Sequence, residues 1–532
     1  MKTDNITVLD CTLRDGGYIN DWQFGEFNIK RIITALSSSN IDIVECGYLN
    51  TIKGQGFFNS TMFQSINQVE NILQSLKTSA QHVVMVNHGE YDLTTLQPNL
   101  VRGIRYAFHK AQWEEALEQV AYLVNKGFYV FVQPMVTLNY SDDELLRLIS
   151  ETNKINPYAF YIVDSFGAMK KEDILRLTTL VHHNLNTDIQ LGYHSHNNLQ
   201  LAFSNALEFL EFSSKRKLIL DTSVFGMGRG AGNLPTELLV NYLNENTEKN
   251  YKIEPLLNIM DKCIARIYSQ KKWGYSTAHY LSAIYNCHPN YSNYLINKNT
   301  LSVGDIEQIL KKMEPSKKVS FDKKYIEEQY IEYNSKLFIE NDDLIELKQL
   351  MMYKDILIIA PGISVISNID YIKNVQQGKL SISINHAVDS IVTDYYFFSN
   401  QRRFDDYVEK ITNNILQSND KTFIFTSNIR HHSISNKKII VDYQSVLDRN
   451  IEGSDNSAIL LLSLLKSMRV DEVFIAGLDG YSHKDSSYIY EDMDLIMDVE
   501  EVAIKNKLLK TAIDYLSKEV RIHFITESKY QQ

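Results

Sequence analysis

Two histidines two positions apart, an arginine–aspartate pair near the start of the chain and an asparagine behind a run of glycines are the residues whose types and spacing suit chemistry. They sit in Leu9-Asp10-Cys11-Thr12-Leu13-Arg14-Asp15-Gly16-Gly17, in Gly192-Tyr193-His194-Ser195-His196-Asn197-Asn198, and in Gly226-Met227-Gly228-Arg229-Gly230-Ala231-Gly232-Asn233. Asp15, His194, His196 and Asn233 together offer a carboxylate, two imidazoles and an amide oxygen. That donor set can hold a divalent cation and leave positions open for substrate oxygens. Arg14 puts a permanent positive charge beside it, suited to an oxygen that becomes negative in an enolate. Residues i and i+2 of a strand point the same way, so His194 and His196 can share one face. The glycines from Gly226 to Gly232 permit a loop that approaches closely enough for the Asn233 oxygen to reach the ion. Spacing does not choose the metal: Mn²⁺ or Mg²⁺ leads, with Co²⁺, Fe²⁺ and Zn²⁺ open.

The elements that must carry these residues alternate between strand and helix. Strands are expected at Thr7–Cys11, Ile41–Cys46, His82–Asn87, Gly103–Phe108, Phe128–Gln133, Phe160–Asp164, Ile189–His194 and Leu218–Ser223. Amphipathic helices fall between them, among them Asn28–Ser37, Thr61–Leu76, Gln112–Asn125 and Asp142–Asn153. The strands read as short apolar runs, as strands buried on both faces do. Eight βα units over residues 1–245 predict a TIM (β/α)8 barrel, whose active site lies at the carboxyl ends of its strands. The three segments fall at the ends of the first, seventh and eighth.

Residues 246–350 read as a helical extension and linker. A second α/β pattern occupies 351–532, with strands expected at Ile356–Ala360, Ser381–Asn385, Tyr395–Ser399, Thr422–Thr426, Lys438–Val441, Glu472–Ala476 and Arg521–Thr526. This is a Rossmann-like, doubly wound α/β domain, in which ligands gather at strand carboxyl ends. Gly362 and Ser364, between a strand and a helix, are candidates for phosphate binding. Asn385 and Asp479 end strands nearby.

Composition sets bounds. The chain has 532 residues, which predicts more than one domain, with 44% hydrophobic and 22% charged residues, as in globular proteins. A net charge of −11 argues against nucleic acid as a partner. No apolar run reaches the length of a membrane span and no signal-peptide core is present, so a cytoplasmic protein is expected. Four cysteines without CxxC spacing argue against a disulfide framework or a zinc–cysteine site.

The segments Thr12-Leu13-Arg14-Asp15-Gly16, His194-Ser195-His196-Asn197-Asn198 and Gly230-Ala231-Gly232-Asn233 resemble the signatures of the DRE-TIM metallolyase superfamily, which includes 4-hydroxy-2-oxovalerate aldolase, hydroxymethylglutaryl-CoA lyase and isopropylmalate synthase. The resemblance covers roughly residues 5 to 290. It implies that Asp15, His194 and His196 ligate a divalent metal with Asn233 as a further ligand or close neighbour, and that Arg14 stabilises an enolate oxygen. It implies C–C bond formation or cleavage next to a carbonyl. The Claisen-type synthases carry Glu-Gln where this chain has Gly17-Tyr18. Val163-Asp164-Ser165-Phe166-Gly167 is similar to the aldolase version, where the serine lies near pyruvate. The aldolase branch therefore leads, and an acyl-CoA-dependent synthase or lyase is the alternative.

One departure stands out. The aldolases place a proton-relaying histidine where this chain has Tyr18. A phenol of ordinary pKa is a poor general base at neutral pH, so Tyr18 acts as an acid or hydrogen-bond donor, or another group handles the proton. Glu45 is an alternative carrier. Gln133 is a candidate substrate contact, and Tyr275, in the extension, a candidate to reach the site. The second domain more weakly resembles a Rossmann-like family that includes sialyltransferase-like and pterin-diphosphokinase-like proteins. That implies a nucleotide sugar or phosphorylated ligand, with His386, Arg402, Arg403 and His431-His432 as further candidates. The leading expectation is an aldolase joining a 2-oxo acid, pyruvate first, to an aldehyde of sugar type, fused to a nucleotide-sugar-binding or glycosyltransferase-like domain. A non-catalytic binding module is the other reading of that domain. A homo-oligomer is expected.

Overall fold

The computed structural model describes residues 5–52, 59–214, 216–334, 342–388, 390–412, 421–430, 436–483, 488–490, 493–495 and 497–531. Two compact units emerge. One comprises Met1–Asn293 with Glu314–Phe321, the other Tyr294–Met313 with Asp322–Gln532. The segment 246–350 is thus shared between them.

In the first unit the strands are β1 (Ile6–Asp10), β2 (Ile43–Leu49), β3 (Met62–Phe63), β4 (Gln81–Asn87), β5 (Val101–Phe108), β6 (Tyr129–Pro134), β7 (Ala159–Asp164), β8 (Gln190–Ser195) and β9 (Leu218–Thr222). All pair in parallel, and β1 bonds to both β2 and β9, so eight strands close into a barrel while β3 lies beside β2. Helices cover the outside through apolar stripes. The helix Glu26–Ser38 buries Ile29, Ile32, Ile33 and Leu36, the spacing of one helical face. Asp142–Ile155 starts on a capping box between Ser141 and Glu144 and stops at Asn156 in the left-handed region.

The expected helix Thr61–Leu76 is shorter. Its first residues form β3, and the helix runs Ile66–Gln74 from a capping box of Ser65 and Gln68. A local cap and a sheet edge both outcompete helical propensity here.

The barrel interior follows strand alternation. A lower layer is apolar, with Leu9, Ile43, Val83, Phe131, Tyr161 and Ile219. Two residues further along, β2, β5, β8 and β9 place Glu45, Arg105, His194 and Asp221. Gly192 makes room for this stack: a Cβ there would collide with the Tyr161 ring. The Arg105 guanidinium lies 5.0 Å from the centre of that ring. All four cysteines are buried and free.

The extension of this unit docks through Trp273, whose indole N–H donates to the Phe225 carbonyl at 3.1 Å and whose ring meets Phe225 and Tyr268 edge-on.

The second unit holds a seven-stranded sheet of β10 (Ile356–Ile359), β11 (Leu380–Ile384), β12 (Tyr395–Phe398), β13 (Thr422–Thr426), β14 (Lys438–Val441), β15 (Glu472–Ala476) and β16 (Arg521–Phe524). Its order is β14-β13-β12-β11-β10-β15-β16, all parallel. The winding reverses between β10 and β15, the switch point of a doubly wound fold. Among the described residues, no helix is long and apolar enough to cross a membrane.

Candidate metal centre

Asp15, His194 and His196 converge at the carboxyl end of the barrel, with a donor atom from each lying within 4.8 Å of the others. All three are buried. Asp15 sits on the turn after β1, and the histidines on and just beyond the end of β8.

Each imidazole is oriented from behind. His194 Nδ1 faces the Asp221 carboxylate at 2.9 Å, and His196 Nδ1 faces the Arg229 carbonyl at 3.1 Å. An acceptor at Nδ1 puts the proton there and leaves Nε2 with a free lone pair, the arrangement metal-ligating histidines use. Burial pulls the His196 pKa down to about 3, so the ring is neutral at physiological pH. Burial alone would raise the Asp15 pKa, but Arg14, the two histidines and Arg229 outweigh it and hold the carboxyl well below its usual range.

Asn233 completes the set. Its Nδ2 donates to Asp15 Oδ2 at 2.7 Å and to the Met227 carbonyl at 3.3 Å. That fixes the amide with Oδ1 buried and without a partner. A buried, unsatisfied acceptor beside a carboxylate and two imidazole lone pairs fits a divalent cation. Gly228 is packed against this pair: a Cβ there would collide with Asn233 Nδ2 and lie 2.6 Å from Asp15 Oδ2. Gly228→Ala is therefore expected to weaken Mn²⁺ binding by about 10–100-fold, the range seen when support around a ligand is lost. A Mn²⁺ titration checks this, and unchanged affinity would refute it.

Arg14 is buried beside the trio. It donates through Nη1 to Asp15 and through Nε to Glu45 at 2.9 Å. Burial would lower its pKa, yet Glu45 and Asp15 push it up. Glu45 Oε2 also accepts from Arg105 at 2.6 Å, and Arg105 donates in turn to Asp221. A buried chain of charges thus runs Asp15–Arg14–Glu45–Arg105–Asp221 and ends on the His194 ring. Glu45, a candidate proton carrier from the sequence, anchors two guanidiniums. Arg105 and Asp221 escaped the sequence reading, although their strand positions, two residues above apolar interior residues, were the available signal.

Around the mouth, Tyr18 and Tyr48 join their hydroxyls at 3.1 Å, and Trp22 packs edge-on against both rings. Gln133 is buried at the end of β6 with Nε2 unpartnered. The Ser165 hydroxyl accepts from the Val136 backbone N–H at 2.9 Å. Tyr275 is not brought to these groups. It is 61% exposed, with its ring 6.4 Å from that of Tyr280. The side chain that the extension does bring here is His288, 3.5 Å from Arg229.

In the second unit Gly362, Ser364 and Asp479 meet at the β10/β15 switch point. The Asp479 carboxylate accepts from the Ser364 N–H at 2.9 Å and from its hydroxyl. The expected phosphate cradle is thus filled by the chain's own carboxylate, on a helix of only four residues, Ser364–Ser367. Asn385 donates to Ser457 Oγ at 2.8 Å and keeps Oδ1 buried and unpartnered. His386 is buried, with Nδ1 on the Ile384 carbonyl. Arg403 is buried and donates to the Met493 carbonyl, whereas Arg402 is exposed. His431 and His432 lie outside the described residues.

Residues 5–262 match the HMGL-like family model. The chain is 27% identical over 245 residues to 4-hydroxy-2-oxovalerate aldolase 2 of Comamonas testosteroni, covering 45% of this chain and 69% of that protein. It is 26% identical over 236 residues to oxaloacetate decarboxylase of Mycobacterium tuberculosis, covering 44% and 68%. A solved hydroxymethylglutaryl-CoA lyase from Pseudomonas aeruginosa aligns over 50% of this chain and 94% of its own, with 15% identity and a TM-score of 0.40.

Proposed function

Residues 5–262 form an HMGL-like domain of the DRE-TIM superfamily, and from that premise we propose that the barrel is a divalent-metal-dependent pyruvate aldolase acting with an aldehyde of sugar type. The observation that carries the reading is the convergence of Asp15, His194 and His196, with both Nδ1 atoms already engaged and Arg14 held alongside. The names of the two relatives support the donor. Cleavage of a 4-hydroxy-2-oxo acid and decarboxylation of oxaloacetate both leave an electron pair on C3 of pyruvate.

Asp15, His194, His196 and Asn233 are the proposed ligands, and Mn²⁺ or Mg²⁺ the proposed ion, given oxygen donors and no thiolate. When bound, the ion supplies Lewis-acid polarisation of the 2-oxo acid carbonyl. Arg14 uses Nε and Nη1 on Glu45 and Asp15. Its remaining edge is free to donate to the oxygen on which enolate charge develops. Glu45 acts through Arg14 as a positioning residue. Tyr18 is the proposed donor to the aldehyde oxygen as the C–C bond forms, supported by its hydrogen bond to Tyr48. Burial pushes the Tyr48 pKa up, so Tyr48 stays protonated and its hydroxyl serves to hold the Tyr18 hydroxyl in place. Gln133 and Ser165 line the substrate side.

Proton exchange at pyruvate C3 tests the reading. In D₂O, protein with Mn²⁺ or Mg²⁺ should replace the methyl protons of pyruvate by deuterium, followed by NMR. Chelator should stop the exchange and added metal restore it. Absence of exchange with every divalent ion would sink the pyruvate assignment.

A further inference from the structure

Arg229 leaves the metal centre by its side chain. Its backbone N–H donates to Asp15 Oδ2 at 3.3 Å and its carbonyl accepts from His196, so its main chain belongs to the metal cradle. The guanidinium reaches away from it. Nη2 donates to the Ser165 carbonyl at 2.8 Å, the guanidinium lies 5.4 Å from the centre of the Tyr18 ring, and Nη1 stops 3.5 Å from His288 Nε2. Arg14 and Arg105 each face buried carboxylates. Arg229 forms no ion pair with a carboxylate among the described residues, so it is the mouth guanidinium whose charge no salt bridge neutralises.

His288 sharpens the point. The Asn290 backbone N–H donates to His288 Nδ1 at 3.2 Å. That nitrogen must hold the lone pair, and the ring proton therefore sits on Nε2. With the proton there, Nε2 and the Arg229 Nη1 are both donors, 3.5 Å apart. His288 is held in place by Phe166 and Phe321 on its ring and by a bond from its own backbone N–H to the Lys318 carbonyl.

His109, just past the end of β5, is a further imidazole that feels the Arg229 charge. Glu90, which also faces His109, is tied up by Asn50 and Asn87. Burial first, and Arg229 second, lower the pKa of both imidazoles, that of His288 to about 3. They are therefore neutral groups around one fixed positive charge.

We propose that Arg229 and His288 form a seat for an anionic group carried by the acceptor aldehyde, a carboxylate or a phosphate. Two donors this close are satisfied together by an anionic oxygen, which accepts more than one hydrogen bond and is favoured by the unpaired guanidinium. The inference rests on the aldolase reading for its substrate and on geometry alone for its anion.

The test separates the two. Pyruvate turnover is compared for charged and neutral aldehydes: glyceraldehyde 3-phosphate against glyceraldehyde, and succinic semialdehyde against butanal. In the wild type one charged member should exceed its neutral counterpart by about 100-fold in kcat/KM, the scale of lost hydrogen bonds to a charged group. Which pair shows it tells phosphate from carboxylate. In Arg229→Met the preference should collapse through KM, and Arg229→Lys should recover part of it. In parallel, inorganic phosphate and acetate are titrated by calorimetry into metal-loaded wild type and Arg229→Met. Binding that is lost in the variant supports the seat even if pyruvate exchange fails and the aldolase reading falls. Equal turnover of charged and neutral aldehydes, or anion binding that survives Arg229→Met unchanged, overturns it.

Discussion

Asp15→Asn and His194→Ala proteins should fail to exchange the methyl protons of pyruvate at any practical Mn²⁺ concentration, while retaining their fold. Each substitution removes a donor from the proposed ligand set, not a support behind it. The loss of metal affinity should therefore exceed the roughly 10–100-fold that follows from removing an outer hydrogen-bond partner. Asp221→Asn supplies the internal comparison. It leaves His194 in place but replaces the carboxylate that faces Nδ1 at 2.9 Å, so its affinity should fall within that smaller range. Mn²⁺ binding by calorimetry and exchange by NMR give the two readouts. Equal, small losses in all three variants would remove these residues from the ligand set.

The second large effect concerns stability. Arg105→Met should lower the unfolding free energy of the barrel by about 3–5 kcal/mol, because it leaves Glu45 and Asp221 buried without their shared cation. Arg105 bridges those two carboxylates in a fully buried position. Replacing the partners as well, with Glu45→Gln and Asp221→Asn in the same chain, should return a good part of that loss, since the uncompensated charges are then gone. Urea unfolding followed by circular dichroism measures both, with the two units' transitions resolved. A single variant as stable as the wild type would show that water or rearrangement relieves the layer.

Much of the barrel was legible because its signals are local. Apolar runs bounded by turn residues mark the strands, and the alternation of β8 puts His194 and His196 on one face before any partner is known. Asp15 and Asn233 were legible through their loops. Arg105 and Asp221 were not, because their meaning depends on which residues stand opposite across strands 60 and 116 positions apart, from Glu45 to Arg105 and from Arg105 to Asp221. Pattern gives the face of a strand but not the charge that faces it. The two guanidiniums on Glu45 are hidden from the sequence for the same reason. That Tyr275 is exposed while His288 lies against Arg229 is a tertiary fact, with no local signal in the extension. In the second unit the Pro361-Gly362-Ile363-Ser364 turn is legible, but the carboxylate on the Ser364 N–H comes from Asp479, 115 residues beyond Ser364.

The chain passes between its two compact units three times, after Asn293, Met313 and Phe321. The returning stretch, Glu314–Phe321, is what holds the segment bearing His288: the His288 N–H bonds the Lys318 carbonyl at 2.9 Å, and the Tyr291 hydroxyl bonds the carbonyls of Lys317 and Ser320. No single cut therefore separates the halves cleanly. A truncation at residue 293 would keep every proposed metal ligand yet strip the brace from the acceptor end. The barrel alone would then be a poor guide to which aldehyde the whole protein prefers, and a faithful excision would have to carry the 314–321 brace across a replacement for the excursion that precedes it.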